Sequence, residues 1–168
     1  PLVKDFLPLA GLDQLEFGAW DLFEDDAFES ASHAAVLEPR HLDLVKDELQ
    51  AIKPMEAVFY PEYVKRLHGT HVKKAANKAE MVEKIREDIR RFLKDKGCDR
   101  AVAVWCGSTE VYIAPSAVHQ SIEAFEAGLL ANDPGISNSQ IYAWACMKEG
   151  VPYANGAPNL TVDFPAAW

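Results

Sequence analysis

Residues 101–105 (Ala101-Val102-Ala103-Val104-Trp105) form an unbroken apolar run directly behind an amphipathic helix pattern. A short run of this kind predicts a strand buried on both faces of a parallel sheet rather than a half-solvated, alternating one. It stops at Cys106-Gly107-Ser108-Thr109-Glu110, a sharp change to small polar residues. Upstream, Met81, Ile85, Ile89, Phe92 and Leu93 repeat at helical spacing within residues 79–96, while Glu80, Glu83, Glu87, Arg90, Arg91 and Lys94 take the opposite face. Gly97 is placed to end that helix in a left-handed conformation.

The same alternation recurs along the chain. Residues 15–20 read as a short strand, and residues 25–36 as a helix whose acidic start, Glu24-Asp25-Asp26, suits the helix dipole. Pro39 opens a helix carrying Leu42, Val45, Leu49 and Ile52, and residues 57–60 are a buried-strand candidate. Pro61 begins another short helix through Leu67, and residues 73–78 read as a basic surface loop in which Lys73 and Lys74 are solvated. Pro115 begins a helix with Val118, Ile122, Phe125 and Leu129 inward, and Asn132-Asp133-Pro134-Gly135 is a turn. Ser137 and Gln140 form a capping box for a helix closed by Gly150, and residues 151–154 are a final strand. His33 and His119 fall on amphipathic helices as surface or boundary residues.

Strands alternating with helices imply an α/β fold with a mostly parallel sheet and helices on both faces. Ligands of such sheets bind beyond the carboxyl ends of the strands. Three ends carry suitable chemistry: Trp20-Asp21, residues 106–110, and Asn155-Gly156-Ala157-Pro158. Small residues there let backbone N–H groups approach a phosphate closely, which points to a nucleotide. No glycine-rich phosphate loop of the GxGxxG or GxxxxGK kind is present.

Composition narrows the field further. The 168 residues fit one domain, and no apolar run approaches the ~20 residues of a membrane span. A formal charge of −9 disfavours nucleic acid as a partner. Cys98, Cys106 and Cys146 are an odd count without a CxxC pair, which suggests a reducing interior. His68 and His71 lack the third ligand that a metal site needs, so none is assigned. A second reading of Asp21 has it cap the following helix, and the plain reading of Cys106 is a small buried thiol. The chain opens at Pro1 and stops at Trp168 after an apolar stretch, so it reads as an internal piece of a longer protein.

Three motifs together resemble the myo-inositol-phosphate synthase family. Trp105-Cys106-Gly107-Ser108-Thr109-Glu110 is similar to its W-T-A-N-T-E segment. Glu149-Gly150-Val151-Pro152-Tyr153-Ala154-Asn155-Gly156-Ala157-Pro158 is similar to its E-G-x-P-[FY]-x-N-G-S-P segment, and Gly18-Ala19-Trp20-Asp21 to its G-G-W-D. The resemblance implies a partial Rossmann-like, NAD-binding domain over residues 1–168. The glycine-rich loop would lie upstream, and the catalytic and tetramerisation domain downstream. It further implies a redox-neutral conversion of D-glucose 6-phosphate to 1L-myo-inositol 3-phosphate, serving inositol and phospholipid biosynthesis, in a cytoplasmic homo-oligomer, a tetramer. No catalytic residue is assigned to this chain.

Carried over by position, NAD contacts fall on Asp21, Cys106, Gly107, Ser108, Thr109, Gly156 and Ala157, and on Ala57, His68 and His71. Cys106, Gly107, Ser108 and Ala157 depart from the family pattern of Thr, Ala, Asn and Ser, and Ala57, His68 and His71 from Ser, Gln and Arg. A histidine in place of arginine weakens a phosphate clamp at neutral pH. Two other readings stay open: a non-catalytic nucleotide-binding or scaffold protein, and an unrelated NAD-dependent dehydrogenase.

Overall fold

Parallel strand pairing organises the chain, and the computed structural model describes it from Pro1 to Trp168. Strand β1 (Trp20–Asp21) is followed by helices α1 (Ala27–Ala34), α2 (Pro39–Asp43) and α3 (Lys46–Gln50). Strand β2 (Met55–Glu56) then precedes the long helix α4 (Lys78–Lys96) and strand β3 (Ala103–Trp105). Helices α5 (Ile122–Leu130) and α6 (Asn138–Lys148) lead to strand β4 (Tyr153–Asn155). β1 pairs with β2 in parallel, Trp20 opposite Met55, and β3 pairs with β4 in parallel, Ala103 opposite Tyr153. Ala57 adds a parallel bridge to Val72. The expected α/β, Rossmann-like architecture is thus present as two parallel pairs flanked by helices.

Local sequence explains the helix ends. Asp26 caps α1 by accepting from the N–H groups of Phe28 and Glu29, while Glu29 reaches back to the Asp26 N–H. Asn77 caps α4 through the Glu80 N–H, and Gly97 ends it at φ +64°, as its missing Cβ allows. Gly150 does the same after α6 at φ +67°. The inner faces of α4, α5 and α6 meet in one core that contains Ile85, Ile89, Phe125, Leu129, Ile141 and Phe164. Phe125 lies at its centre, 4.5 Å from the Trp144 ring and stacked on Phe164 at 5.2 Å.

Several expectations are corrected. Residues 15–19 run along the surface with no strand partner, so the ladder begins only at Trp20. The helix from Pro39 breaks into α2 and α3, and only Leu42 of its apolar repeat is buried, while Val45 at the break is exposed. Residues 58–60 do not join a sheet: Val58 and Tyr60 give their N–H groups to Tyr142 Oη and Asn138 Oδ1 instead. After Pro61 there is one 3-10 turn, Pro61–Tyr63, and not a helix to Leu67. Beyond Pro115 a second such turn, Ala117–His119, comes first, and Ile122 is exposed at the start of α5.

The basic stretch 73–78 is not a solvated loop at either end. Lys73 is buried against Asp88 of α4 at 2.7 Å. Lys78 is 2% exposed, and its Nζ donates to Tyr63 Oη and to the carbonyls of Asp133 and Ile136. Burial holds its pKa below the ordinary lysine value. His119, expected near the surface, is fully buried, within 3.0 Å of Gln140 Nε2 and edge-on to Phe164. Finally, β3 is covered on one face only: Val102 and Val104 are 66% and 64% exposed. His33 does lie on the surface, beside Asp25.

Candidate functional site

Strand ends decide where polar backbone becomes available, and two groups of residues assemble there. At the end of β1, the Asp21 carbonyl lies 3.2 Å from His71 Nδ1, and the Leu22 carbonyl accepts the His71 N–H at 3.0 Å. The His71 carbonyl in turn accepts the Ala57 N–H. Asp21, Ala57 and His71 are therefore one cluster. Gly69 is required beside it, since a Cβ there would stand 2.4 Å from Leu22 Cβ and its carbonyl oxygen. His68, by contrast, is exposed and hydrogen-bonds to nothing in the chain. No three His, Cys, Asp or Glu side chains gather as a metal-ligand set.

The Asp21 carboxylate is exposed and accepts only the Phe23 N–H at 3.1 Å, while α1 is capped by Asp26. The helix-capping alternative for Asp21 is thereby overturned. The buried-thiol alternative for Cys106 fails too, because that side chain is exposed.

The second group lies beyond β3 and β4. The Gly156 N–H donates to the Trp105 carbonyl at 2.8 Å, and Ala157 donates its N–H to Asn155 Oδ1 at 3.0 Å. A Cβ on Gly156 would sit 2.8 Å from that same carbonyl oxygen, so the close approach of the two loops depends on glycine. Gly107 lies against the Trp105 indole, where a Cβ would come within 3.1 Å of the ring. Residues 106–109 are exposed, and the N–H groups of Gly107, Ser108 and Thr109 have no acceptor within the chain. Beside this wall a cavity of about 480 Å³ is lined by Tyr112, Pro115, Asn155, Ala157, Asn159 and Asp163.

Tyr142 of α6 joins the two groups. Its ring lies 5.3 Å from Trp20 and 5.5 Å from Trp105, the residues immediately before Asp21 and Cys106. Its hydroxyl accepts the Val58 N–H at 2.7 Å, and burial raises its pKa above the ordinary tyrosine value. Trp20 is held from the other side by Asp88, which accepts its indole N–H at 2.8 Å. One side chain thus receives both strand ends, and nine of the ten residues picked from the sequence fall into the two groups around it.

Tyr142, Asp88 and Asn159 carry no signal in the sequence. Glu110 and Asn155 fall within the strand ends and motifs read from the sequence, but nothing there gives either a role of its own. Three buried polar atoms have no partner in the chain: Trp105 Nε1, Tyr153 Oη and Asn159 Nδ2. All three belong to the β3–β4 wall. Free N–H groups, glycines at close approach and hydroxyls at positions 108 and 109 make a donor set that fits phosphate oxygens, and the exposed carboxylate at 21 is an acceptor that fits ribose hydroxyls.

Comparison with known proteins agrees with that chemistry. Residues 1–168 match an NAD-binding family model described as myo-inositol-1-phosphate synthase. Inositol-3-phosphate synthase 1 of Bacteroides thetaiotaomicron is 49% identical over 168 residues, covering 99% of this chain and 39% of that protein. Inositol-3-phosphate synthase 1 of Oryza sativa subsp. japonica is 27% identical over 161 residues, covering 94% and 32%. The crystal structure of inositol-3-phosphate synthase from Caenorhabditis elegans superposes with a TM-score of 0.90 at 26% identity, covering 98% of this chain and 33% of that one. The chain therefore spans from 32% to 39% of the length of these relatives.

Proposed function

The chain belongs to the myo-inositol-1-phosphate synthase family, and from that premise we propose that it forms one wall of the NAD site of an inositol-3-phosphate synthase. The observation that carries this is the convergence of Trp20 and Trp105 on Tyr142, which gathers the loops after β1 and β3 beside the Gly156 turn. In the whole protein the reaction would be the redox-neutral conversion of D-glucose 6-phosphate to 1L-myo-inositol 3-phosphate. When bound, NAD supplies a hydride acceptor that later returns the hydride. A cytoplasmic homo-oligomer, a tetramer, serving inositol and phospholipid biosynthesis belongs to the same proposal.

This chain's own residues bind and orient. The Asp21 carboxylate accepts hydrogen bonds from ribose hydroxyls, and the free N–H groups of residues 107–109 face oxygen anions. Gly156 and Ala157 keep backbone close to the cofactor, while His71, tied to the Asp21 carbonyl, holds the rim together with Ala57. His68 contributes only from the loop edge. Cys106 replaces a hydroxyl with a thiol, a weaker hydrogen-bonding group, so position 106 acts through its backbone. Proton transfer to and from the sugar phosphate falls to residues outside this chain.

Titration of the 168-residue chain with NAD, followed by amide signals and calorimetry, tests the reading. Shifts at Asp21, Gly107, Ser108 and Gly156 with a Kd near ~1 mM or weaker, on the order of −4 kcal/mol, are expected from a site with one wall. No response at those amides would refute it. Joined to the remaining segments of its relatives, the chain should yield inositol phosphate with no net NADH. Accumulating NADH would identify a dehydrogenase instead.

A further inference from the structure

Glu110 closes the segment of residues 106–110 and is buried, with 6% of its surface exposed. No lysine, arginine or histidine pairs with it. Its Oε1 accepts the Ser139 N–H at 3.0 Å, and its Oε2 accepts the hydroxyls of Ser137, at 2.8 Å, and Ser139. An unpaired carboxylate inside a protein is costly unless its lone pairs are filled. Here the compensation comes from the first turn of α6, whose N–H groups lack intrahelical acceptors and whose dipole favours negative charge. Ser137, the residue that caps α6, turns its hydroxyl to Glu110.

The same carboxylate is one end of a chain of bonds that reaches the opposite loop. Ser139 Oγ lies 3.0 Å from Thr161 Oγ1, which accepts from Asn155 Nδ2 at 3.2 Å. The Glu110 N–H meanwhile donates to Asn159 Oδ1 at 3.0 Å. Ser139 and Thr161 are fully buried. Two routes therefore tie residues 106–110 to residues 155–161, both starting at Glu110. Both routes are made of polar groups, while the apolar core is made of other residues, with Trp105, Tyr153 and Leu160 of this wall packed against it.

We propose that Glu110 is a positioning residue of the cofactor site: anchored on the first turn of α6, it fixes the spacing between the loop after β3 and the loop after β4. The proposal rests on the NAD reading above. A pre-set spacing spares the cofactor the ordering of two loops on binding, so the effect appears in affinity.

The test uses the 168-residue chain and its Glu110→Gln variant, read by amide hydrogen exchange, urea midpoint and NAD titration. Exchange in residues 106–110 and 155–161 should rise about tenfold together, by more than any rise in α4, and the NAD Kd of the folded protein should rise about tenfold. A side chain that merely adds stability would lower the midpoint and leave that Kd alone, which overturns the proposal. Loosening of one loop without the other overturns it as well. Failure of the parent chain to respond to NAD at residues 107 and 156 sinks the NAD reading, a separate result, because the exchange data still report the loop coupling. Should Glu110→Gln not fold, Asn159→Ala removes only the acceptor of the Glu110 N–H. It should loosen both loops and weaken NAD about threefold, and behaviour like the parent would again overturn the proposal.

Discussion

Two buried carboxylates support the two halves of the site, and their company differs. Asp88 stands behind Trp20, 3% exposed in its side chain, ion-paired with Lys73 and Arg91. Glu110 stands behind the loop after β3 among hydroxyls and N–H groups alone. The first arrangement cancels a charge with charges, whereas the second spreads one negative charge over a helix terminus. Removing a member of an ion-paired group strands its partner, while removing a hydrogen-bonded acceptor leaves only neutral groups unmet. The wall after β1 is therefore built to resist displacement, and the wall after β3 to be set by a single side chain.

The largest effect should come from breaking the Asp88 group. Asp88→Asn leaves the buried Lys73 ammonium without a counter-charge, and a loss of about 3 kcal/mol in urea unfolding is expected. Adding Lys73→Met should restore at least half of it, because an apolar side chain needs no partner there. No restoration would mean that the contrast between the two carboxylates is mistaken. Glu110→Gln should cost less, about 1 kcal/mol, and no second substitution of a cation can rescue it.

Gly156→Ala sharpens the comparison on the β3–β4 side. Its Cβ would press on the Trp105 carbonyl oxygen, so a loss of about 1–2 kcal/mol is expected, with faster exchange confined to residues 105–110 and 155–161. An unchanged exchange pattern would show that the two loops move independently.

The smallest effect concerns the frame shared by both walls. Glu149 at the end of α6 accepts from Arg90 and Arg86 of α4, with Arg90 the larger influence, and its pKa lies below the ordinary glutamate value of 4.5. A lowered folded value means stability that is present above pH 4.5 and lost as the pH falls through the folded pKa. Glu149→Gln should flatten the urea midpoint against pH in that acid window and change little at neutrality. An unaltered slope would remove Glu149 from the account.

Where local chemistry decides the outcome, the sequence was a good guide. The stripe of Met81, Ile85 and Ile89 together with Gly97 placed α4 within a residue of its observed start, and Gly150 closed α6 as read. The motif loops landed in two groups on one tyrosine, although His68 did not join them. What stayed hidden were pairings between distant residues. Nothing near Lys73 or Lys78 announces Asp88, Tyr63 or the Ile136 carbonyl as partners. Residues 58–60 look like strand because side-chain acceptors on α6 cannot be read from their own composition. Burial of β3 on both faces was inferred from apolar character alone, and Val104 shows that one face lacks a neighbour here. The role of Glu110 depends on Ser137 and Ser139, brought to it by the start of another helix.

Both strand pairs are parallel and join residues far apart in the chain, Trp20 with Met55 and Ala103 with Tyr153. No hairpin can nucleate such a ladder, so each pairing must wait until the intervening loop is closed, at an entropic cost. The doubly capped α4 can form from local contacts alone, whereas its docking on α6 and both strand pairings each wait on the closure of a long loop. A chain caught before those closures would hold its longest helix while having neither an assembled interior nor a binding face.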